Sequence, residues 1–313
     1  MSESQNLTPA PEELVSTPGI DMLVPSTAVP PTVPSERKQA RRENWRLIRR
    51  RPSFIIGMII ALFWVVCAIF GSAITPHDPL DFRAKPHLSP SSDFWFGTDK
   101  TGRDVLSRVM AGARDVLKIA PAAAVIGVLL GVILGLTMGY LGKRVDMVLS
   151  RIVEAFLALP VVLIALLAIT TLGNSSFVVL GVVAVLFTPV VARTVRSAVL
   201  AERDLDYVTS ARLRGESQLF IMFKEVLPNV SGPIIVELTV RIGYAVFTIA
   251  TLSFLGAGPP PPSPDWGAQV SEGFNSISAG IWWTTFFPAM AIASLVIAVN
   301  LIADSVQSVL EAS

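Results

Sequence analysis

The sequence predicts an all-α integral membrane protein with six transmembrane helices. Hydrophobic residues make up 52% of the 313 residues and charged residues only 16%, whereas a soluble domain must cover its surface with polar side chains. The apolar runs reach the length of about 20 residues that a helix needs to cross about 30 Å of hydrocarbon. Because the runs do not alternate with period two, helices are predicted rather than the strands of a barrel.

Two segments precede the membrane region. Residues 1–35 are rich in Pro, Ser, Thr and Glu and contain no apolar run, which predicts a disordered N-terminal tail. Residues 36–53 carry eight basic residues between Arg37 and Arg51. Nucleic-acid binding is the alternative interpretation, but the adjoining apolar run favours a cytoplasmic segment that touches anionic lipid.

The membrane domain, residues 54–313, is predicted to contain six spans. Pro160 and Pro189 interrupt the third and fourth spans and are predicted to kink them. The single cysteine, Cys67, lies in the first span, so no internal disulfide can form. The six spans cover residues 54–74, 119–141, 148–172, 174–194, 231–256 and 281–303.

The basic flank before the first span predicts a cytoplasmic N-terminus. Counting the spans then places residues 75–118 and 257–280 outside the cell, and residues 200–229 and the C-terminus inside. The loop 257–280 contains no Lys or Arg, as expected of an external loop. The loop 75–118 contains seven basic and six acidic residues, and long charge-balanced loops follow the rule only weakly.

The segment between the fourth and fifth spans is predicted to form two short helices. The first covers about residues 205–213, and Gly215 can adopt the left-handed conformation that ends it. Ser217 can cap a second helix over 218–227, and Pro228 is expected to force the chain out of that helix. The second helix is too apolar for a solvated loop. Composition alone leaves two alternatives open, a helix lying on the membrane or a docking element for a cytoplasmic partner.

Glycine recurs at every fourth position on the second span. Such a stripe forms a smooth face that lets another helix approach closely. It predicts tight packing within the subunit or against a partner subunit, and it is compatible with a surface that shifts during gating. The four residues are Gly127, Gly131, Gly135 and Gly139.

Three charged residues are predicted to lie at membrane depth: Glu154, Glu237 and Arg241. A charge at the centre of a membrane helix costs about 2.5–3.5 kcal/mol, so these side chains should face a cavity or one another. Glu237 and Arg241 are four residues apart and can pair directly. Lining of a transport pathway, with Arg241 binding a peptide carboxylate, is the alternative.

The segment 96–117, FGTDKTGRDVLSRVMAGARDVL, imitates two nucleotide-dependent motifs. Gly97 and Gly102 have the spacing of a phosphate loop, but Arg103 and Asp104 replace the Lys and Ser/Thr that would hold phosphate and magnesium. Its DKTG stretch imitates the phosphorylated aspartate motif of cation pumps, which needs nucleotide domains that this chain has no room for. The segment is instead predicted to form a turn and then an amphipathic helix, residues 104–117, along the outer surface.

Three separated motifs resemble the dipeptide/oligopeptide (DppC/OppC-type) family of bacterial ABC-importer permeases. The first is the EAA loop of these permeases, in which Thr209, Ser210 and Glu225 depart from the family pattern. Residues 96–117 resemble the external loop signature of the family, and residues 252–270 resemble the segment after its fifth span. The positions that keep the spacing of the EAA loop are Ala211, Gly215, Leu227 and Pro228.

The resemblance covers about residues 45–313 and implies a type I ABC importer permease fold, in which a cytoplasmic EAA-type loop supplies a coupling helix to an ATPase. The coupling residues that it implies are Asp206, Tyr207, Ser210, Ala211, Arg212, Gly215, Glu216, Leu227 and Pro228. The external family motif that it implies consists of Gly97, Thr98, Asp99, Gly102, Arg103 and Asp104.

The resemblance also implies an assembly in the bacterial inner membrane. The chain is expected to be a permease rather than an enzyme and to bind no metal or cofactor, because ATP and Mg are bound by two partner ATPase subunits. Its other implied partners are a second homologous permease, usually a different chain, and an extracytoplasmic peptide-binding protein. The implied substrates are di- or oligopeptides, with nickel complexes, glutathione or haem as alternatives. An integral membrane enzyme and a passive channel are more remote alternatives.

Overall fold

The computed structural model describes residues 48–82, 84–260 and 262–310. The predicted tail, 1–35, and most of the basic segment 36–53 therefore lie outside the described residues. Regular secondary structure in the described part is helical, and its only β-interaction is an isolated bridge between Thr98 and Asp104. The predicted all-α class is confirmed.

Eleven α-helices and three short π- or 3₁₀-helices follow one another in the described part of the chain. Five segments are long and apolar enough to cross a membrane, namely α1, α2, α5, α9 with the π-helix that follows it, and α11. In chain order the helices are α1 (Pro52–Ile74), α2 (Val105–Leu141), α3 (Lys143–Ala158), α4 (Val161–Leu172), α5 (Ser176–Glu202), α6 (Asp206–Leu213), α7 (Gln218–Phe220), a π-helix (Ile221–Val226), α8 (Leu227–Asn229), α9 (Ser231–Leu252), a second π-helix (Ser253–Ala257), α10 (Trp266–Phe274), a 3₁₀-helix (Ile277–Ala279) and α11 (Trp283–Leu310).

The third predicted span is a broken helix. The sequence predicts one helix over residues 148–172 with a kink, but α3 and α4 meet at 86°. Pro160 is the residue before α4 and has extended backbone angles, since its ring cannot continue the preceding helix and it donates no backbone hydrogen bond. With this bent pair counted as one span, the described residues contain six segments long and apolar enough to cross a membrane.

The direction of α5 requires the bent pair to cross the bundle. The glycine stripe of α2 faces α5, where a Cβ added to any of the four glycines would lie 2.6–3.1 Å from a backbone carbonyl oxygen. Along this contact, the residue numbers on α2 and on α5 both increase in steps of four in the same direction, so the two helices run parallel. The chain between them must therefore return to the starting side. The oxygens that face Gly127, Gly131, Gly135 and Gly139 belong in that order to Ala184, Thr188, Ala192 and Arg196.

The predicted helix over residues 104–117 forms, but its predicted position along the outer surface is wrong. These residues are the first third of α2, a single 37-residue helix about 55 Å long. Asp104 caps its start by accepting a hydrogen bond from the Ser107 amide at 3.0 Å, and Pro121 lies inside the helix without ending it. One side of this first third is buried, through Val109 and Ala113 among others, so the segment packs into the bundle.

Two apolar clusters organise the two ends of the bundle. One cluster contains Trp64, the buried Cys67 and Trp266, and the Trp266 indole N–H donates to the carbonyl of Val109 at 2.7 Å. The other cluster joins the ends of α2 and α5 to the segment between α5 and α9. This segment is therefore packed on the bundle and not suspended from it.

Candidate functional site: the loop between α5 and α9

A glycine turn separates the two short helices that follow α5. Gly215 has φ +77°, and its amide donates to the Arg212 carbonyl at 3.0 Å. The next amide, of Glu216, donates to the Ala211 carbonyl at 3.3 Å. These two bonds form a Schellman motif, the commonest way in which a left-handed glycine ends a helix. The motif therefore ends the first helix.

The second helix does not end at Pro228. Ser217 caps it by accepting a hydrogen bond from the Phe220 amide at 3.3 Å, and helical structure then continues through Asn229. The expected exit at Pro228 is wrong because the preceding turn widens into a π-helix, in which the Leu227 amide donates to the Met222 carbonyl five residues back. A widened turn accommodates the proline within a continuous helix.

The inner face of the two helices is buried against the bundle. Val208, Ala211 and Val226 have no exposed surface, and Ile221 and Met222 are nearly as buried. They belong to the same apolar cluster as side chains of α2 and α5. A displacement of this helix pair must therefore be transmitted to those two helices, because packed interiors resist deformation.

The outer face of the pair is apolar and uncovered. The side chains of Leu213, Leu219, Phe220 and Phe223 are all exposed, Leu213 at 85% and Leu219 at 67%. Exposed large apolar side chains on a segment outside the long apolar helices are candidates for an interaction site. The helix pair is thus anchored on one side and available for binding on the other.

Arginine side chains tie the loop to the end of α2. Arg203 donates to the Gly139 carbonyl at 2.9 Å, and Arg212 donates to the Arg203 carbonyl at 3.0 Å while its guanidinium lies 5.4 Å from the centre of the Tyr140 ring. Arg214 pairs with Glu216 across the glycine turn at 2.7 Å. The loop has a defined geometry relative to the spans.

Tyr207 connects the first helix to the end of α5. Its hydroxyl donates to Glu202 at 2.8 Å. Burial, the hydrogen bond to Glu202 and the negative charge of that carboxylate raise the pKa of Tyr207 to about 12. The phenol therefore remains a neutral donor at physiological pH.

The predicted coupling residues are close together, but they do not share one role. Ala211 is buried and Tyr207, Glu216 and Leu227 are half-buried, so they hold the loop in place. Sequence reasoning missed Arg203, whose contact with α2 carries no local signal. It could have identified Met222 as buried, since that residue lies one position from Ile221 in an apolar run. The exposed members of the predicted set are Asp206, Ser210, Arg212, Gly215 and Pro228.

The predicted external motif folds around one carboxylate. The Asp99 side chain accepts hydrogen bonds from the backbone amides of Thr101 and Arg103, at 2.8 and 3.0 Å, and forms ion pairs with the side chains of Arg103 and Arg108. Both arginines also pair with Glu272 at 3.0 and 3.2 Å. This charged cluster ties the start of α2 to α10.

The pKa of Asp99 reflects these contacts. Burial opposes ionisation, but the hydrogen bonds from Arg103 and Thr101 and the positive charge of Arg108 outweigh it and lower the pKa to about 2. The carboxylate is therefore charged at physiological pH. It is also enclosed, which fits the sequence-based rejection of a phosphorylated aspartate.

The remaining motif residues shape the backbone around this cluster. Gly97 and Gly102 have φ +72° and +82°, and a Cβ would lie 2.5 and 2.0 Å from carbonyl oxygens of the preceding loop. The carbonyl of Thr98 accepts a hydrogen bond from the Trp283 indole at 3.2 Å, and Asp104 caps α2. The motif joins α2, α10 and α11 at one end of the bundle.

Two of the three predicted intramembrane charges pair with each other. The Arg241 Nε donates to Glu237 at 2.8 Å, and Thr194 of α5 donates to the same carboxylate at 2.7 Å. The structure therefore gives Arg241 the structural role that its spacing predicted. Glu154 differs, since its partner is Arg151 at 3.0 Å and both side chains are mostly exposed.

Comparison with known proteins supplies the family. A family described as binding-protein-dependent transport system inner membrane component matches residues 127–313, and one described as the N-terminal TM domain of oligopeptide transport permease C matches residues 40–90. A dipeptide transport system permease protein DppC of Bacillus subtilis is 35% identical over 271 residues, which are 86% of this chain and 85% of the relative.

Two further relatives are named for different substrates. A putative peptide transport system permease protein of Brucella suis is 38% identical over 85% of this chain and 89% of its own length. A glutathione transport system permease protein GsiD of Escherichia coli is 34% identical over 91% of this chain and 94% of its own length.

Proposed function

The chain belongs to the family of binding-protein-dependent transport system inner membrane components, and on this basis we propose that it is the permease subunit of an ATP-driven importer of di- or oligopeptides. Members of this family are multi-pass inner membrane proteins. The observation that carries the proposal is the α6–α8 helix pair, which is buried in the bundle on one face and exposes a run of apolar side chains on the other.

We assign this helix pair as the coupling element. Its outer face, with Leu213, Leu219 and Phe223, docks into a groove of a partner ATPase, and its inner face moves α2 and α5 when the ATPase closes. The interfacial-helix alternative is less well supported, because the inner face of the pair is buried against α2 and α5, as a coupling element requires. ATP and Mg are bound by the ATPases, and this chain contributes no catalytic group.

The rest of the proposed assembly follows from the class of importer. A second homologous permease completes the pathway, two ATPases dock on the loops, and an extracytoplasmic binding protein delivers the peptide. The N- and C-termini and residues 200–229 lie in the cytoplasm. The peptide substrate is inferred from the relatives DppC and the Brucella suis permease, and glutathione, itself a modified tripeptide, is the second candidate because of the relative GsiD.

Substitution of Gly215 tests the coupling role. No atom lies within 4 Å of a Cβ at this position, so Gly215→Val acts only through the left-handed backbone, which a β-branched residue disfavours by about 1–2 kcal/mol. The variant should still insert and pair with the second permease, but it should lose ATPase co-purification or lose transport-linked ATP hydrolysis. Gly232→Val is the matched control, because Gly232 also has open space and no left-handed conformation.

The measurements are co-purification of the ATPases and peptide uptake into vesicles. The permease purified without partners should hydrolyse no ATP. Normal attachment together with normal uptake by Gly215→Val would remove the coupling role from this loop.

A further inference from the structure

A cleft opens where α3 approaches α5. It has a volume of about 370 Å³, which is within the range of small-molecule sites. Its wall carries Ser150 and Glu154 from α3 and Arg193 and Arg196 from α5. It is separate from the Glu237–Arg241 pair and from the coupling loop.

The two arginines of the cleft differ in whether an acidic side chain pairs with them. Arg196 forms a two-point contact with Asp146, from Nε at 2.5 Å and from Nη2 at 2.6 Å. Arg193 is exposed and has no acidic partner among the described residues. A guanidinium is always charged and presents donors that match a carboxylate in a planar, two-point fashion. Arg193 is therefore the free cation of the cleft.

Glu154 provides a replaceable negative charge. It pairs with Arg151 at 3.0 Å, but the two side chains are 61% and 81% exposed, and such surface pairs contribute only about 0–1 kcal/mol. A ligand ammonium group could take the place of Arg151 at little cost. The cleft thus offers one cation and one anion that are not committed to the fold.

The membrane setting explains why these charges need a cleft. Arg193 lies in α5, which is apolar enough to cross the membrane, and Glu154 lies in the first arm of the broken span. Charges on such helices are costly against hydrocarbon and are found facing water-filled cavities. The cleft lined by these two residues provides such a space.

We infer that this cleft is a binding site on the transport pathway of the peptide. In it, Arg193 binds the C-terminal carboxylate of the peptide and Glu154 binds its N-terminal ammonium group. A free peptide carries both charges, which neither an amidated nor an N-acetylated peptide does. The inference rests on the proposed function, and it adds the two residues that select for free peptide termini.

The test uses the complete importer in vesicles, with a saturating binding protein and a dipeptide in three forms: free, C-terminally amidated and N-acetylated. The modified forms are chosen from those that the binding protein accepts. Its own preference is the same for every permease variant and cancels in the comparison. The quantity compared is the ratio of uptake of the free dipeptide to uptake of each modified form.

Each variant should lower one of the two uptake ratios, free to amidated or free to acetylated dipeptide, and leave the other unchanged. Arg193→Gln should lower the amidation ratio about tenfold, the effect of losing one charge-assisted hydrogen-bonded pair, and leave the acetylation ratio unchanged. Glu154→Gln should do the reverse. Arg193→Lys should keep most of the amidation ratio, and Arg144→Gln, which removes an exposed α3 charge outside the cleft, should change neither.

The outcomes are distinguishable. If wild type takes up neither the dipeptide nor a longer oligopeptide, the proposed function fails. If wild type transports the peptide and both ratios are unchanged in Arg193→Gln and Glu154→Gln, the peptide-binding site is refuted while the proposed function stands. If the effect of Arg193→Gln appears only in vesicles that contain anionic phospholipid, the cleft holds a lipid headgroup and the inference is overturned.

Discussion

At the residue scale, Asp99 shows how one buried carboxylate can fix a long loop. It accepts backbone hydrogen bonds within its own turn and pairs with Arg103 and Arg108. Removing one partner from a buried ion pair leaves an uncompensated charge, which costs more than the pair contributes. Glu272 of α10 contacts the same two arginines, so the effect of Asp99 extends to a second helix.

This geometry predicts an acid-labile contribution to stability. The pKa of Asp99 in the folded protein is about 2, below the usual value of about 3.9 for an unfolded chain. The contribution, about 2 kcal/mol, is present above pH 4 and is lost as the pH falls from about 4 through 2. The difference in melting temperature between wild type and Asp99→Asn should therefore shrink over this interval.

Asp93→Asn, which removes an exposed carboxylate outside the cluster, is the control substitution. A difference between wild type and Asp99→Asn that stays constant from pH 6 to pH 2 would show that the aspartate acts through shape and not through its charge.

At the scale of elements, the α2–α5 contact depends on the absence of side chains. A Cβ at Gly135 would lie 2.6 Å from the Ala192 carbonyl oxygen, and that oxygen is part of a helix backbone that cannot move aside alone. Overpacking of this kind costs about 1–3 kcal/mol. Gly135→Ala should lower the melting temperature of the purified permease.

Gly181→Ala is the matched control for this stripe. It makes the same chemical change in α5, where no atom lies within 4 Å of the added Cβ, and alanine favours a helix by about 1 kcal/mol over glycine. It should leave stability unchanged or raise it. Equal effects of the two substitutions would show that the stripe is not a close contact.

Three prolines show which parts of the fold the sequence could predict. Pro160 breaks its span by 86°, Pro121 lies inside α2, and Pro228 lies inside a helix whose preceding turn has widened. The local chemistry of the three is the same. The outcome depends on whether neighbouring turns satisfy the freed carbonyl groups, which is decided by packing between distant segments. The apolar runs and prolines therefore located the helices and the interruption at Pro160, but not how sharply each helix would bend.

The candidate loop was more predictable because its determinants are local. The left-handed glycine, the serine cap and the two helices all depend on contacts within a few residues, and Gly215 and Ser217 behave as expected. The contacts that seat the loop, such as Arg203 on Gly139, join segments far apart in the chain. The charged cleft at Arg193 was not predicted either, because its wall combines residues of three helices.

At the scale of the whole molecule, contacts between segments far apart in the chain divide the loops into two groups. Arg103 and Glu272 join the loop before α2 to the segment before α11, and Arg203 joins the C-terminal end of α2 to the end of α5. The parallel course of α2 and α5 gives the same division. The two groups must lie on opposite sides of the membrane. The basic flank 36–53 predicts that the second group, which contains Arg203, is cytoplasmic.

Cysteine labelling tests this orientation in a Cys67→Ala background. Cys67 is 1% exposed, so its removal eliminates background label without altering the surface. Ser91 and Gln218 are exposed members of the two groups. With a membrane-impermeant maleimide on intact cells, Ser91→Cys should be labelled from outside, and Gln218→Cys should be labelled only after the membrane is opened. The reverse pattern would invert the topology and place the exposed apolar face of α6–α8 away from any ATPase. Labelling of both positions from one side would instead contradict the sixth crossing made by α3 and α4.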